Sequence, residues 1–257
     1  FETNLGMEVV MNPLPGPIPP IVPEIIVYRG PWAEIVGQHP PRTSGSNQIQ
    51  DAIDDLPGRQ VVSPLFACFC DADALRRWRA VTAMGRVVSR LADQNLESAR
   101  VVMRRFMWNL KEESGGIGWG CPEAMGECMA RSDRLAEEYG CILSSYLHPE
   151  RNFIEHPALQ EGVLWGIGRL AQSRPASMAG CAELLKPFLG SPAAALRGLA
   201  ALAGGPLADA RLTPLLEQLA DDRASFQLYR GERLEVCSVG ELAWQALRWP
   251  LMRSPEK

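Results

Sequence analysis

The sequence predicts an all-α solenoid of about five helix pairs, closed by a short C-terminal β-hairpin. Three observations predict it. Four similar small-residue stretches recur: Arg79-Ala-Val-Thr-Ala-Met-Gly85, Gly120-Cys-Pro-Glu-Ala-Met-Gly126, Gly162-Val-Leu-Trp-Gly-Ile-Gly168 and Arg197-Gly-Leu-Ala-Ala-Leu-Ala203. Their starts at 79, 120, 162 and 197 lie 35 to 42 residues apart, the period of a two-helix repeat. Helix openings are marked by proline at Ser63-Pro64, Cys121-Pro122, His156-Pro157, Ser191-Pro192 and Thr213-Pro214. Proline suits a first helical turn, where its missing N–H would have no partner. The hydrophobic period then changes near the C-terminus from helical to alternating.

In chain order, residues 1–47 form a separate segment. Pro13, Pro15, Pro17, Pro19, Pro20 and Pro23 stand among Ile and Val, which favours extended or polyproline II backbone. Such an arm lies on the repeat body or on a partner, because Ile25-Ile-Val-Tyr28 and Trp32 suit free solution poorly; a disordered tail is the alternative. The repeat domain spans 48–257. Val61 to Phe69 reads as a short first helix and Asp73 to Leu91 as a longer second, with Asp71 or Asp73 able to accept its free N–H groups. Leu96 to Glu113 carries a helical stripe of Leu96, Ala99, Val102, Met103, Phe106, Met107 and Leu110, with Arg100, Arg104, Arg105 and Lys111 on the other face. Further helices are expected at 122–131, 133–147, 157–172, 177–189, 192–203 and 212–221. Phe226 to Val236 alternates around Arg230-Gly231-Glu232 and predicts the hairpin. Ser238-Val-Gly-Glu241 is a capping box opening a last helix over Leu242–Trp249.

Composition narrows the function classes. The 257 residues are 46% hydrophobic and 22% charged, enough apolar material for a core. A net charge of −4 and a pI near 5.5 oppose a general phosphate-backbone binder. Seven cysteines without a C-x-x-C pair read as buried, reduced thiols of a cytoplasmic protein. Cys121 and Cys128, seven apart, suit core packing better than chelation. No run approaches the roughly 18 apolar residues of a membrane span, and no signal peptide is visible; the absence of an initiator Met leaves a processed or truncated start open.

The chain resembles the HEAT-like repeat proteins, and among them the group related to phycobilin-lyase repeats. The likeness rests on Trp78-Arg-Ala-Val-Thr-Ala-Met-Gly85, Leu159-Gln-Glu-Gly-Val-Leu-Trp-Gly-Ile-Gly168 and Val239-Gly-Glu-Leu-Ala243 after a hairpin, and covers roughly residues 60 to 249. Trp108 to Glu127 also resembles a stretch in uncharacterised HEAT-like proteins of anaerobic sulfate-reducing bacteria. The resemblance implies an α-solenoid in a bacterial cytoplasm. It leaves the activity open, since such proteins include scaffolds, chromophore-attachment factors, DNA-repair glycosylases and a di-iron hydroxylase.

The segment from Glu112 to Glu127 breaks local rules. Glu112 and Glu113 sit at a helix C-terminus, where the dipole opposes them. Gly115, Gly116, Gly118 and Gly120 allow close backbone approach, and Trp119 between glycines is a candidate aromatic anchor. Glu123 and Glu127 lie one turn apart on one helix face. Together Glu112, Glu113, Gly115, Gly116, Gly118, Trp119, Glu123 and Glu127 form the expected binding surface, set against the plainer reading of a tight inter-helix turn. The glycines are no dinucleotide or phosphate loop, because no strand precedes them and the lysine is missing.

Other chemistry finds less support. The histidines are His39, His148 and His156, and the His-Glu dipeptides that supply metal in the HEAT-like hydroxylase are absent. No metal site, cofactor or catalytic residue is therefore assigned. Arg76, Arg77, Arg104 and Arg105 form a candidate basic cluster for nucleic acid, set against pairing with nearby carboxylates. The expected function is a non-enzymatic scaffold binding another protein or peptide on the concave face, with no membrane partner. A cofactor-handling, lyase-like protein working from Glu112–Glu127 is the alternative, and DNA-lesion binding the weaker one.

Overall fold

The computed structural model describes residues 57–111 and 118–252. The expected proline-rich arm over 1–47 lies outside them. Ten α-helices and one two-stranded sheet fill the described chain. The helices are α1 (Gly58–Cys68), α2 (Ala74–Gln94), α3 (Leu96–Leu110), α4 (Cys121–Arg131) and α5 (Asp133–Ser145). They continue with α6 (Pro157–Ser173), α7 (Ala182–Leu189), α8 (Ala194–Leu207), α9 (Thr213–Leu219) and α10 (Val239–Met252). A 3-10 turn at Pro175–Met178 precedes α7, and β1 (Ser225–Arg230) and β2 (Arg233–Ser238) precede α10.

The even-numbered helices α2, α4, α6, α8 and α10 pack side by side as a ladder, and the odd-numbered helices alternate with them as a second layer. The result is a helical-repeat solenoid of five helix pairs with a C-terminal hairpin. All four recurring stretches fall on ladder helices. Their small residues do the expected work: Ala80, Ala83, Ala124, Gly126, Gly166 and Gly168 are buried where neighbouring helices meet. A Cβ built on Gly126 would stand 2.4 Å from the Gly166 Cα, so α4 and α6 touch backbone to backbone. One continuous apolar core runs through the repeats, from Val61 in α1 to Ala246 in α10.

Local chemistry explains most boundaries. Asp73 caps α2 by accepting from the Leu75 and Arg76 N–H groups at 2.8 and 3.3 Å. Ser238 and Glu241 form the reciprocal capping box: the Ser238 N–H donates to Glu241 Oε2 at 2.8 Å, and the Glu241 N–H to Ser238 Oγ at 3.2 Å. Strand β1 pairs antiparallel with β2 through a two-residue turn, Gly231-Glu232, with φ of 56° and 64°. Positive φ at both turn residues is what a tight hairpin following the strand twist requires.

The proline markers hold at three openings and fail at two. Pro122, Pro157 and Pro214 sit in the first turn of α4, α6 and α9. Pro64 instead lies inside α1, which starts at Gly58 and buries Val61, Val62, Leu65 and Phe66. There, apolar burial outweighs the lost backbone bond. At Ser191-Pro192 the helix opens two residues later, because Ser191 Oγ accepts from the Ala193 N–H at 3.2 Å and holds a turn. The single helix expected over 177–189 is split before α7 by Gly180, with φ of 88°. Among the described residues no helix is long and apolar enough to cross a membrane.

Candidate functional site

Glu112, Glu113, Gly115 and Gly116 of the expected surface lie outside the described residues. Gly118, Trp119, Glu123 and Glu127 are described, and the structure does not gather them at one surface. Gly118 is buried against the backbone of Asn109 at the end of α3. Gly120, with φ of 71°, caps α4 over the ring of Phe69. A side chain at Gly120 would meet both backbone strain and the ring, and Gly118 accepts from the Cys121 N–H at 3.1 Å, so these two glycines serve the turn that opens α4. Trp119 is half-buried and rests edge-on against His156, with ring centroids 5.2 Å apart. His156 itself is the residue before the first turn of α6.

Glu123 lies in the first turn of α4 and points at α6. Its carboxylate fills the space where a side chain on Gly162 would be, and its Oε2 is sealed from solvent without a hydrogen-bond partner. Burial pushes its pKa up to about 7; its own backbone N–H opposes the rise, Glu161 adds to it and Arg77 counters it. Beside it Cys121 is buried, its thiol held by Asn109 Nδ2 at 3.8 Å and pushed up to about 12, chiefly by burial. The buried Tyr146 hydroxyl also lacks a partner, and burial pushes it to about 12 as well.

Glu127, one turn on, belongs to a different neighbourhood. It is 3% exposed and accepts from two arginines. Arg131 donates Nε and Nη2 to Oε1 at 2.9 and 2.7 Å, and Arg169 of α6 donates Nε to Oε2 at 2.6 Å. Such charge-assisted bonds offset part of the cost of burying the carboxylate. Among the described residues no group of His, Cys, Asp and Glu is arranged to hold a metal ion.

The four arginines of the basic cluster are engaged in holding the fold. Arg76 pairs with Asp71 at 2.8 Å, and Arg77 donates to the Asp71 and Ala72 carbonyls. Arg104 bonds Glu97 at 2.5 Å. Arg105 donates to Ser63 Oγ at 3.0 Å and lies 4.0 Å over the Phe66 ring. Arg76 and Arg77 open a ladder helix, whereas Arg104 and Arg105 belong to the other layer.

The feature that periodicity could not foresee is where the hairpin goes. It folds back onto the ladder and lies across α2, α6 and α8. Tyr229 stacks on Trp78, with centroids 4.8 Å apart and an interplanar angle of 6°. Its hydroxyl shares a 3.1 Å bond with Thr82 Oγ1, and the Trp165 indole N–H donates to the Tyr229 carbonyl at 3.2 Å. Phe226 occupies the space over Gly198. Beneath the hairpin turn a cavity of about 290 Å³ remains, walled by Glu127, Arg131, Trp165, Arg169, Gln172, Tyr229 and the turn residues. The part of the ladder under the hairpin is thus covered by this chain's own strand. Thr82, Trp165, Arg169, Gln172 and Tyr229 are the site residues that sequence reasoning missed. No local pattern singled them out, because the hairpin that joins them lies far from them along the chain.

No family model matches this chain, and no curated protein does. Among solved structures it is similar to an engineered protein at 15% identity, covering 82% of this chain and 93% of that one, with a TM-score of 0.48. It is also similar to a designed armadillo repeat protein at 16% identity, covering 85% and 98%, with a TM-score of 0.48. A third is a designed armadillo repeat protein in complex with the peptide (KR)4, at 17% identity, 81% and 95% coverage and a TM-score of 0.45. Likenesses this distant say nothing of what the present chain binds.

Proposed function

We propose that this chain is a non-enzymatic scaffold that holds an extended segment of a partner protein on the ladder face. The observation that supports it is the way the ladder holds β1. An indole N–H on a backbone carbonyl recognises extended chain independently of its sequence, and the ring stack adds a preference for an aromatic residue. The same means serve an external segment lying beside the hairpin, along the cavity walled by Arg131, Arg169 and Gln172. A HEAT-like affinity over residues 60–249, a repeat domain from residue 48 preceded by an extended arm, and a bacterial cytoplasmic setting belong to the same proposal.

A second reading rests on Glu123, a carboxyl that titrates near neutrality with one buried, unpartnered oxygen. This is the kind of group a cofactor-handling protein would use as an acid or base. The weaker DNA-lesion reading rests on Arg76, Arg77, Arg104 and Arg105, which also make contacts within the chain.

Photo-crosslinking separates the readings. A benzoylphenylalanine at Gln172, on the cavity wall, is compared with one at Val101, exposed on α3, in extract of the source cells. A discrete partner crosslinked from Gln172, absent from Val101 and competed away by unmodified protein, is the expected result. The same products from both positions would sink the scaffold reading, and a small molecule retained in native mass spectra would favour the second.

A further inference from the structure

Helix α2 has one face that the other described elements do not take. Gly85 meets Glu127 of α4, Trp78 and Thr82 meet Tyr229 of the hairpin, and Val87 and Leu91 meet the start of α1 at Gly58. At roughly 100° per residue, Ala83 stands about 160° round the helix from Gly85, with Arg79, Arg86 and Arg90 within about 60° of it. As α2 is the first described ladder helix, this stripe is turned to the N-terminal end of the ladder. The sequence of α2 holds a single acid, Asp93. Arg76 and Arg77 turn to Asp71 before the helix. Arg79, Arg86 and Arg90 exceed Asp93 in charge, and the neighbouring helices do not restore the balance: α1 has no acid, and Glu97 of α3 takes Arg100 and Arg104.

The stretch of chain just before α1 has the chemistry to cover that stripe. A Cβ on Gly58 would stand 3.0 Å from Leu91 Cδ2 and 3.5 Å from Val87 Cγ1, so the chain enters the described fold beside Arg86 and Arg90. In residues 48–56, Ile49, Ile53 and Leu56 follow the spacing of one apolar helix face. Asn47 with Gln50 is a start signal, and Pro57 a stop. The stretch carries Asp51, Asp54 and Asp55 and no basic residue. Alone it is a poor helix, being short and having two acids in its last turn, where the dipole opposes them. Docking on α2 answers both difficulties. Asp51 and Asp55 are spaced like Arg86 and Arg90, one helical turn apart, so a helix parallel to α2 meets both arginines at once. Ladder helices joined through one return helix run parallel in this way. We infer that residues 48–56 are the first ladder element, laid on α2 with Asp51 and Asp55 against Arg86 and Arg90. They cap the N-terminal end of the solenoid with a polar outer face and keep a second copy from stacking there. This inference is independent of the scaffold reading.

Hydrogen exchange of the full chain, read peptide by peptide in a mass spectrometer, tests it. The amides of 49–56 are expected to exchange about tenfold or more slowly than those of a synthetic peptide of the same sequence. Asp51→Arg/Asp55→Arg brings them to the peptide's rate, and so does Arg86→Glu/Arg90→Glu. Joining the four changes in one chain reverses both sets of charges and restores the protection. Residues 163–171 of α6 keep the parent's exchange throughout, which shows that the ladder is intact. Should the arginine variant lose that protection too, Asp51→Arg/Asp55→Arg decides alone, since it changes no residue of α2. Exchange of 49–56 at the peptide's rate in the parent overturns the inference. Protection that survives in the aspartate variant, or that fails to return in an intact ladder with all four changes, overturns it as well. Protection that falls on tenfold dilution places the segment on a second copy, and that result also rejects the cap.

Discussion

Tyr229 of the hairpin lies flat on Trp78 of α2, ring centroids 4.8 Å apart, and so joins the C-terminal hairpin to the first ladder helix. Trp165 completes the group, 4.8 Å from Trp78 and bonded through its indole to the Tyr229 carbonyl. A solenoid repeat ordinarily touches only its neighbours. Here one aromatic cluster joins two ladder helices that are not neighbours, α2 and α6, with the hairpin as its clasp.

Tyr229→Phe keeps the stack and loses the bond to Thr82, whose hydroxyl still donates to the Trp78 carbonyl. Urea unfolding is expected to show a loss of about 1 kcal/mol. Tyr229→Ala removes a ring that is 5% exposed and is expected to lose about 3 kcal/mol. A Tyr229→Ala midpoint equal to that of the parent would mean the hairpin is not clasped to the ladder.

Glu123 makes stability depend on pH. Burial raises its folded pKa to about 7 from an ordinary 4.5, so the fold favours the protonated form. Its stabilising effect is complete below pH 4.5 and is lost as the pH rises towards 7, because the unfolded chain gives up its proton first. Glu123→Gln therefore matches the parent near pH 4 and exceeds it at pH 8. The gain is on the order of 1–2 kcal/mol, reduced from the full linkage value by the partial exposure of the side chain. Thermal midpoints of parent and variant across this range decide it, and parallel curves would contradict the assignment.

Close contact between α4 and α6 makes Gly126 intolerant of even one methyl group. Gly126→Ala drives a Cβ to 2.4 Å from the Gly166 Cα, and neither backbone can yield without shifting a helix. A loss of about 1–3 kcal/mol is expected. Gly190→Ala, where the nearest atom is 3.8 Å away, serves as the control and stays within about 0.5 kcal/mol of the parent.

All seven cysteines are free thiols, but they are not equally hidden. Cys70 and Cys141 are exposed, whereas Cys121, Cys128, Cys181 and Cys237 are buried. An aromatic disulfide reagent at pH 8 should label Cys70 and Cys141 quickly and the half-buried Cys68 slowly. The buried four should react only on unfolding, because burial raises their pKa and blocks access. Rapid native labelling of Cys121 would contradict the packing of α4 against α3. The exposure of Cys70 and Cys141 corrects the expectation that the thiols are uniformly internal.

Much of the architecture was legible because it is written in short-range chemistry. Asp73, Ser238 and Glu241 announce helix starts through groups a few residues away. The small residues from Ala80 to Gly168 announce close packing through their spacing. Pro64 misled because the apolar stripe around it is buried against α2, a gain that no local rule contains. The candidate site fared worse for the same reason. Glu123 and Glu127 share one helix face in sequence, yet Gly162 seals the first while Arg169 claims the second, and both partners come from another repeat.

The sequence by itself determined the repeat, the helix pairing and the hairpin, since each follows from periodicity and capping within a few residues. Only the tertiary structure decided that the hairpin closes over Trp78 and Trp165, and that two arginines meet one buried glutamate beneath it. Those contacts join residues far apart along the chain. Their energy comes from surfaces and charges that exist only once the ladder has assembled.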